Sequence, residues 1–158
     1  VAKDVDLSDL VTPQSVIATL DASNKKAALQ SLCDRASEIL GLPSIEIFNV
    51  IIQRERLGST GLGGGVAIPH ARLPNLKQSV GVFARLKAPI DFESVDDEPV
   101  DIIMLLLAPE NAGADHLRAL ARVSRLLRDQ RTVEKLRGCR DRSAIYAVLT
   151  EKSAFEAA

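Results

Sequence analysis

Hydrophobic and polar positions divide the chain into short elements. VIATLD, Val16 to Asp21, alternates apolar and polar residues, as a half-buried strand does. In the following DASNKKAALQSLCDRASEILGLP, Leu29, Leu32, Cys33, Ala36, Ile39 and Leu40 recur at helical spacing. Ser23 or Asn24 is placed to cap that helix, and Gly41 and Pro43 to stop it. Ser44 is expected to cap a second helix through SIEIFNVIIQRERL, ended by Gly58. VAIPH, SVGVFARLK and VDIIMLLLAP read as strands; the last has almost no alternation, which suits a strand buried on both faces. In HLRALARVSRLL, Leu117, Leu120, Val123, Ser124 and Leu127 are predicted to share the apolar face. Arg118, Arg122 and Arg125 fall opposite, as a solvated stripe. TVEKLRGC and RSAIYAVLTEK complete a helical C-terminal third. The order β-α-α-β-β-β-α-α-α predicts one α/β domain over residues 1–158, a sandwich with a mixed central β-sheet flanked by helices, with 1–10 as a flexible lead-in.

Composition narrows the function classes. A formal charge of -1 gives no global field toward nucleic acid or an anionic membrane. Aromatics at 3% and no Trp argue against a base-stacking platform, and a DNA or RNA partner is not expected. The longest apolar run, Ile102 to Ala108, is too short to span a bilayer, and VAKDVDLSDLV is too polar for a signal peptide. Cys33 and Cys139 lie far apart in no metal-like spacing, so a reduced, cytoplasmic chain is the simplest reading.

The stretch RLGSTGLGGGVAIPHARL, Arg56 to Leu73, packs five glycines ahead of a Pro-His pair. It is not a P-loop, because no Lys follows its glycines. Nor is it a dinucleotide fingerprint, because Val66 stands at the last glycine position and the flanks are helix then strand. As plain backbone it reads as a flexible connector. Two features point further. Gly58-Ser59-Thr60-Gly61 offers successive N–H groups and two hydroxyls, the makings of an anion nest. Pro69 restrains the chain entering His70. His70 and His116 are the only histidines, without a cluster of metal ligands around them, and no G-x-S-x-G elbow is present. Phosphoryl acceptance fits better: neutral imidazole is nucleophilic near cytoplasmic pH. Leu62, Val66 and Leu73 are expected to ring the site with apolar surface.

RERLGSTGLGGGVAIPHARL resembles the active-site segment of the enzyme IIA domains of the phosphoenolpyruvate phosphotransferase system, mannitol/fructose type. DHLRALARVSRLLRD resembles that family's second signature. The resemblance covers nearly the whole chain. The opening DLSDLVTPQSVIATLDASNKKAALQSL looks most like the nitrogen-regulatory branch. The resemblance implies an α/β sandwich and a phosphohistidine at His70. It implies phosphate received from a small histidine-containing phosphocarrier protein, with no nucleotide or other cofactor at the transfer step, and regulation of partner proteins by phosphorylation state. It also implies that Arg54 and His116 neighbour the phosphate and that Ser59, Thr60 and Gly61 bind it. Gly64 stands where nitrogen-regulatory relatives often have Asn. From the residues alone, plainer roles stay open: Arg54 at a helix C-terminus, Ser59 and Thr60 shaping a turn, His116 packed on the sheet. Two other functions stay open with them, a sugar-transport IIA passing phosphate to a fructose or mannitol IIB domain, and a non-catalytic anion- or protein-binding module.

Overall fold

The computed structural model describes residues 7–151. Six strands form one mixed sheet: β1 (Val16–Leu20), β2 (Gly61–Gly63), β3 (Val66–Ala67), β4 (His70–Leu73), β5 (Val80–Ile90) and β6 (Val100–Pro109). Five helices cover it: α1 (Lys25–Leu40), α2 (Ser44–Leu57), α3 (Ala114–Arg128), α4 (Gln130–Gly138) and α5 (Arg142–Leu149). The strand order is β1-β5-β6-β3-β2, with β4 also on β6. β6 is antiparallel to β5 and parallel to β3 and β4, which follow one another along its far edge.

The unalternating apolar run of β6 follows from this topology. Ile103, Leu105 and Leu107 enter a core beneath α1 and α2. Ile102, Met104 and Leu106 enter a second core beneath α3, α4 and α5. Successive side chains on a strand face opposite ways, so a strand between two helical layers is apolar throughout. Cys33 lies in the first core and Cys139 packs against the second, both as free thiols.

The glycine-rich stretch is more ordered than its composition implies. One strand was expected there; the chain makes three. β2 and β3 form a hairpin whose turn uses positive φ at Gly63, Gly64 and Gly65. The Arg137 guanidinium pairs with Asp101 at 2.9 Å and donates to the Gly64 carbonyl at 2.7 Å, tying the hairpin to α4. A Cβ on Gly65 would lie 2.4 Å from that guanidinium.

Four expectations need adjustment. Asn24 caps α1 through Ala27 N–H at 2.8 Å, but Ser44 does not cap α2. Ser44 is the first helical residue, and its hydroxyl donates to Asp34 on α1 at 2.5 Å. On α3 the buried face is His116, Ala119, Val123, Leu126 and Leu127, rotated from the predicted one, and Leu117 is 61% exposed. The arginine stripe is partly engaged: Arg118 pairs with Asp115, and Arg122 grips Asp9 at 2.7 and 2.9 Å. Finally, Leu7 and Leu10 of the lead-in are buried, with Leu7 N–H on the Leu149 carbonyl and Gly81 N–H on the Leu10 carbonyl. Residues 1–6 lie outside the described residues.

Candidate functional site

β4 carries His70 at its first position. Ala71 and Leu73 turn into the first core, so by strand alternation His70 and Arg72 face the α3 side. β4 is hydrogen-bonded to β6 alone, which leaves its other edge uncovered by any strand. An open cavity of about 780 Å³ wraps that edge, from the C-terminal turns of α2 to the N-terminal turn of α3. Its wall includes Arg54, Arg56, His70, Arg72 and His116, together with Leu57 and Leu117. No carboxylate lines it among the described residues, so its charged groups are all cationic.

The His70 ring is held by its own backbone. The chain breaks ladder between β3 and β4 at Ile68-Pro69. The Pro69 carbonyl still accepts from Leu106 N–H at 2.9 Å, but the Ile68 carbonyl meets His70 Nδ1 at 2.8 Å. A carbonyl only accepts, so Nδ1 carries the proton. In the neutral ring Nε2 then keeps its lone pair. This is the tautomer with a nucleophilic nitrogen away from the backbone.

His116 lies on the buried face of α3, 5% exposed, its ring centroid 5.8 Å from that of His70. Its Nδ1 is buried without a hydrogen-bond partner among the described residues. Burial first, then the charges of His70 and Arg72, hold its pKa below the ordinary imidazole value. His116 is therefore neutral at pH 7. Arg54, in the last turn of α2, donates from Nη1 to the Gly58 carbonyl at 2.9 Å and also lines the cavity. The helix-terminus reading of this residue is met, and the same side chain forms part of the cavity wall.

Ser59, Thr60 and Gly61 are placed differently from the phosphate-binding role expected of them. None lines the cavity that holds His70. Ser59 Oγ donates to the Phe92 carbonyl at 2.8 Å and accepts from Gly61 N–H at 3.1 Å. Thr60 gives its N–H to Glu55 Oε1 at 3.2 Å and its hydroxyl to Glu55 Oε2. With the Gly58 N–H on the Glu55 carbonyl at 3.1 Å, both hydroxyls and three of the nest N–H groups thus serve acceptors within the protein. Gly61 has a packing reason as well: a Cβ there would sit 2.1 Å from Ser94 Oγ and 3.1 Å from Ser94 Cα. The apolar ring also needs correction. Val66 and Leu73 are buried and Leu62 packs on the second core; the exposed apolar side chains of the cavity are Leu57, 86% exposed, and Leu117.

Sequence reasoning missed Glu55, Arg56, Arg72 and Leu117 as parts of this region. Arg72 was within reach: it shares the strand face of His70 two residues away. Glu55 stands in the run RERLGSTGLGGGVAIPHARL, where the sequence alone gives it no role. It is buried, with Lys25 Nζ at 2.9 Å. Among the described residues no cluster of metal ligands forms, and no helix is long and apolar enough to cross a membrane.

The family model for the phosphoenolpyruvate-dependent sugar phosphotransferase system, EIIA 2, matches residues 9–152. A nitrogen regulatory protein of Bradyrhizobium diazoefficiens is 55% identical over 143 residues, covering 90% of this chain and 94% of that protein. One from Klebsiella oxytoca is 35% identical over 148 residues, covering 93% and 91%. The crystal structure of the nitrogen regulatory protein IIA-Ntr from Neisseria meningitidis superposes with a TM-score of 0.85 at 32% identity, covering 90% of this chain and 97% of that one. A mixed six-stranded sheet between two helical layers and a match over nearly the whole domain leave one assignment: the chain belongs to the EIIA 2 family of the phosphoenolpyruvate-dependent sugar phosphotransferase system, a family of phosphotransfer proteins.

Proposed function

We propose that this protein is a histidine phosphocarrier that takes a phosphoryl group onto His70 Nε2 from a small histidine-containing phosphocarrier protein, and that its phosphorylation state regulates partner proteins. The observation that carries the reading is the Nδ1–Ile68 carbonyl bond, which commits the proton to Nδ1 and frees Nε2, in a cavity lined by three arginines and no carboxylate. A dianionic phosphoryl group suits such a wall, because guanidinium groups form charge-assisted hydrogen bonds to phosphate oxygens.

The step is a displacement. The Nε2 lone pair forms the new N–P bond as the donor histidine's N–P bond breaks, and the electron pair leaves with the donor imidazole. Phosphoryl transfer has a loose transition state, so the protein's contribution is alignment and charge stabilisation. Arg54 and Arg72 offset charge on the equatorial oxygens. Burial favours the neutral form of His116, which donates one N–H to a phosphate oxygen. Ser59, Thr60 and Gly61 act one step back, by shaping the turn that leads to the histidine strand.

The regulatory part of the reading is supported by relatives named nitrogen regulatory proteins that align over nine-tenths of the chain. Incubation with phosphoenolpyruvate, the first enzyme of the relay and the phosphocarrier, followed by mass measurement, tests the phosphocarrier part. Gain of one acid-labile phosphoryl group supports it; no gain leaves an anion- or protein-binding module. Capture of proteins by the unphosphorylated and phosphorylated forms in parallel tests regulation, which requires at least one partner bound by one form only.

A further inference from the structure

We propose that Glu55 is a positioning residue for His70, acting through Thr60 and Ile68 to hold the imidazole as the Nδ1–H tautomer; this rests on the phosphocarrier reading above. Glu55 is the buried carboxylate of the described residues. Such a group is retained only if its charge and lone pairs are met. Lys25 Nζ meets the charge at 2.9 Å, and Thr60 meets both oxygens through its N–H and hydroxyl.

The anchoring continues from Thr60 to the histidine. The Thr60 carbonyl accepts from Ile68 N–H at 3.0 Å, one residue beyond the Gly61–Ala67 pair of the hairpin. The Ile68 carbonyl then accepts from His70 Nδ1 at 2.8 Å. Three contacts thus join a helix carboxylate to the ring: Glu55 to Thr60, Thr60 to Ile68, Ile68 to His70. β3 lies on β6 and Arg137 ties the turn to α4, while the Glu55 contacts fix Thr60 at the far end of a hairpin whose strands are only three and two residues long. Glu55 lies on α2, which is packed on α1 through the first core, so the fixed end of the relay is a rigid one.

If Glu55 is lost, the Thr60 donors are left in a buried place without acceptors and the turn moves to find others. The Ile68 carbonyl moves with it. A histidine freed from that carbonyl favours the proton on Nε2, and that nitrogen then has no lone pair with which to attack phosphorus.

The test uses the full chain carrying imidazole-labelled histidine and the variants Glu55→Gln, Thr60→Val and Thr60→Ser. Two-bond proton–nitrogen spectra, recorded where His70 is neutral, read the tautomer; a phosphorylated phosphocarrier protein reads the transfer. For wild type and Thr60→Ser a single Nδ1–H tautomer of His70 is expected. Glu55→Gln and Thr60→Val are expected to give mixed tautomers and a transfer rate lower by about tenfold at saturating donor, with half-saturation unchanged. A purely structural Glu55 would lower melting temperature and leave the His70 tautomer alone; that result in folded Glu55→Gln or folded Thr60→Val overturns the proposal. If Glu55→Gln does not fold, the Thr60→Val and Thr60→Ser pair decides by the same spectra. If the tautomers shift as expected while wild type takes up no phosphate, the positioning role stands and the phosphocarrier reading fails.

Discussion

His70 Nδ1 lies 2.8 Å from the carbonyl oxygen of Ile68, two residues earlier in the same chain. β3 and β4 keep one register on β6, with Ala67 opposite Ile103 and His70 opposite Leu106. The Ile68 N–H points away from β6 to the Thr60 carbonyl, and the β2–β3 ladder stops at the Gly61–Ala67 pair, so the Ile68 carbonyl is left for a side chain. Phosphate delivered to His70 is therefore expected on Nε2. Nitrogen chemical shifts of the phosphorylated, labelled protein check this; a phosphorylated Nδ1 would mean that the Ile68 bond breaks during transfer.

His116 makes folding pH-dependent in a defined direction. Its folded-state pKa is below its unfolded value, so the unfolded chain binds the proton first as pH falls. Above about 6.5, the unfolded value, both states are neutral and His116 adds no pH dependence; between there and the folded value, stability declines as pH falls. Urea unfolding of His116→Gln is expected to show a smaller loss from about pH 7.5 to about pH 5.5 than wild type. The same variant is expected to transfer phosphate more slowly while folding normally; equal pH slopes and equal rates would reduce His116 to packing.

Gly61 is fixed by space, not by backbone conformation. A Cβ would meet the Oγ, Cβ and Cα of Ser94 within 3.1 Å, so side-chain rotation alone does not relieve it. Gly61→Ala is expected to destabilise by about 1–3 kcal/mol, as overpacking does. Thermal unfolding measures it, and an unchanged melting temperature would show that the 91–99 loop yields freely.

Leu57 and Leu117 are exposed apolar side chains beside a cationic cavity. Replacing both by Ala is expected to change stability by about 0.5 kcal/mol or less, since neither is packed. If a partner's apolar surface seats on them, half-saturation by the phosphocarrier rises by about tenfold with little change in maximal rate. Steady-state transfer kinetics separate the two parameters, and unaltered half-saturation would place docking elsewhere.

The two cysteines differ in reactivity. Burial, and then the neighbouring Asp34 charge, push the Cys33 thiol up to about 12, while Cys139 is partly exposed. Thiolate is the reactive form. Alkylation of native protein at mild alkaline pH is expected to label Cys139 alone, by peptide mass analysis; labelling of Cys33 at a similar rate would show that the first core opens readily.

Much of this fold was legible because its signals are local. The β6 span, Val100–Pro109, the α1 cap at Asn24 and the end of α2 at Gly58 each follow from a run or a single residue. The division of VAIPH into β3 and β4 falls at Pro69, which has no N–H to give β6; that signal lies in the sequence but reads there only as a restraint on His70. The helical wheel of α3 placed Leu117 inward beside Val123 and Leu127, whereas the buried face keeps those two and adds His116, Ala119 and Leu126; a wheel fixes the angle between side chains and leaves the docking rotation free. His70 stands out by its Pro-His context, and the fold brings it to one cavity with His116 and Arg54. The partners of Ser59 and Thr60 were not legible, because a Gly-Ser-Thr run advertises donors without showing which acceptors are already near. Here the acceptors, Glu55 and the Phe92 carbonyl, are partly distant in sequence.

The most direct measurement compares wild type and His70→Ala after incubation with phosphoenolpyruvate, the first relay enzyme and the phosphocarrier, with intact-protein mass read before and after mild acid. The account predicts one acid-labile phosphoryl group on wild type and none on the variant. Equal phosphate on both proteins, or none on a wild type that is folded, would contradict it.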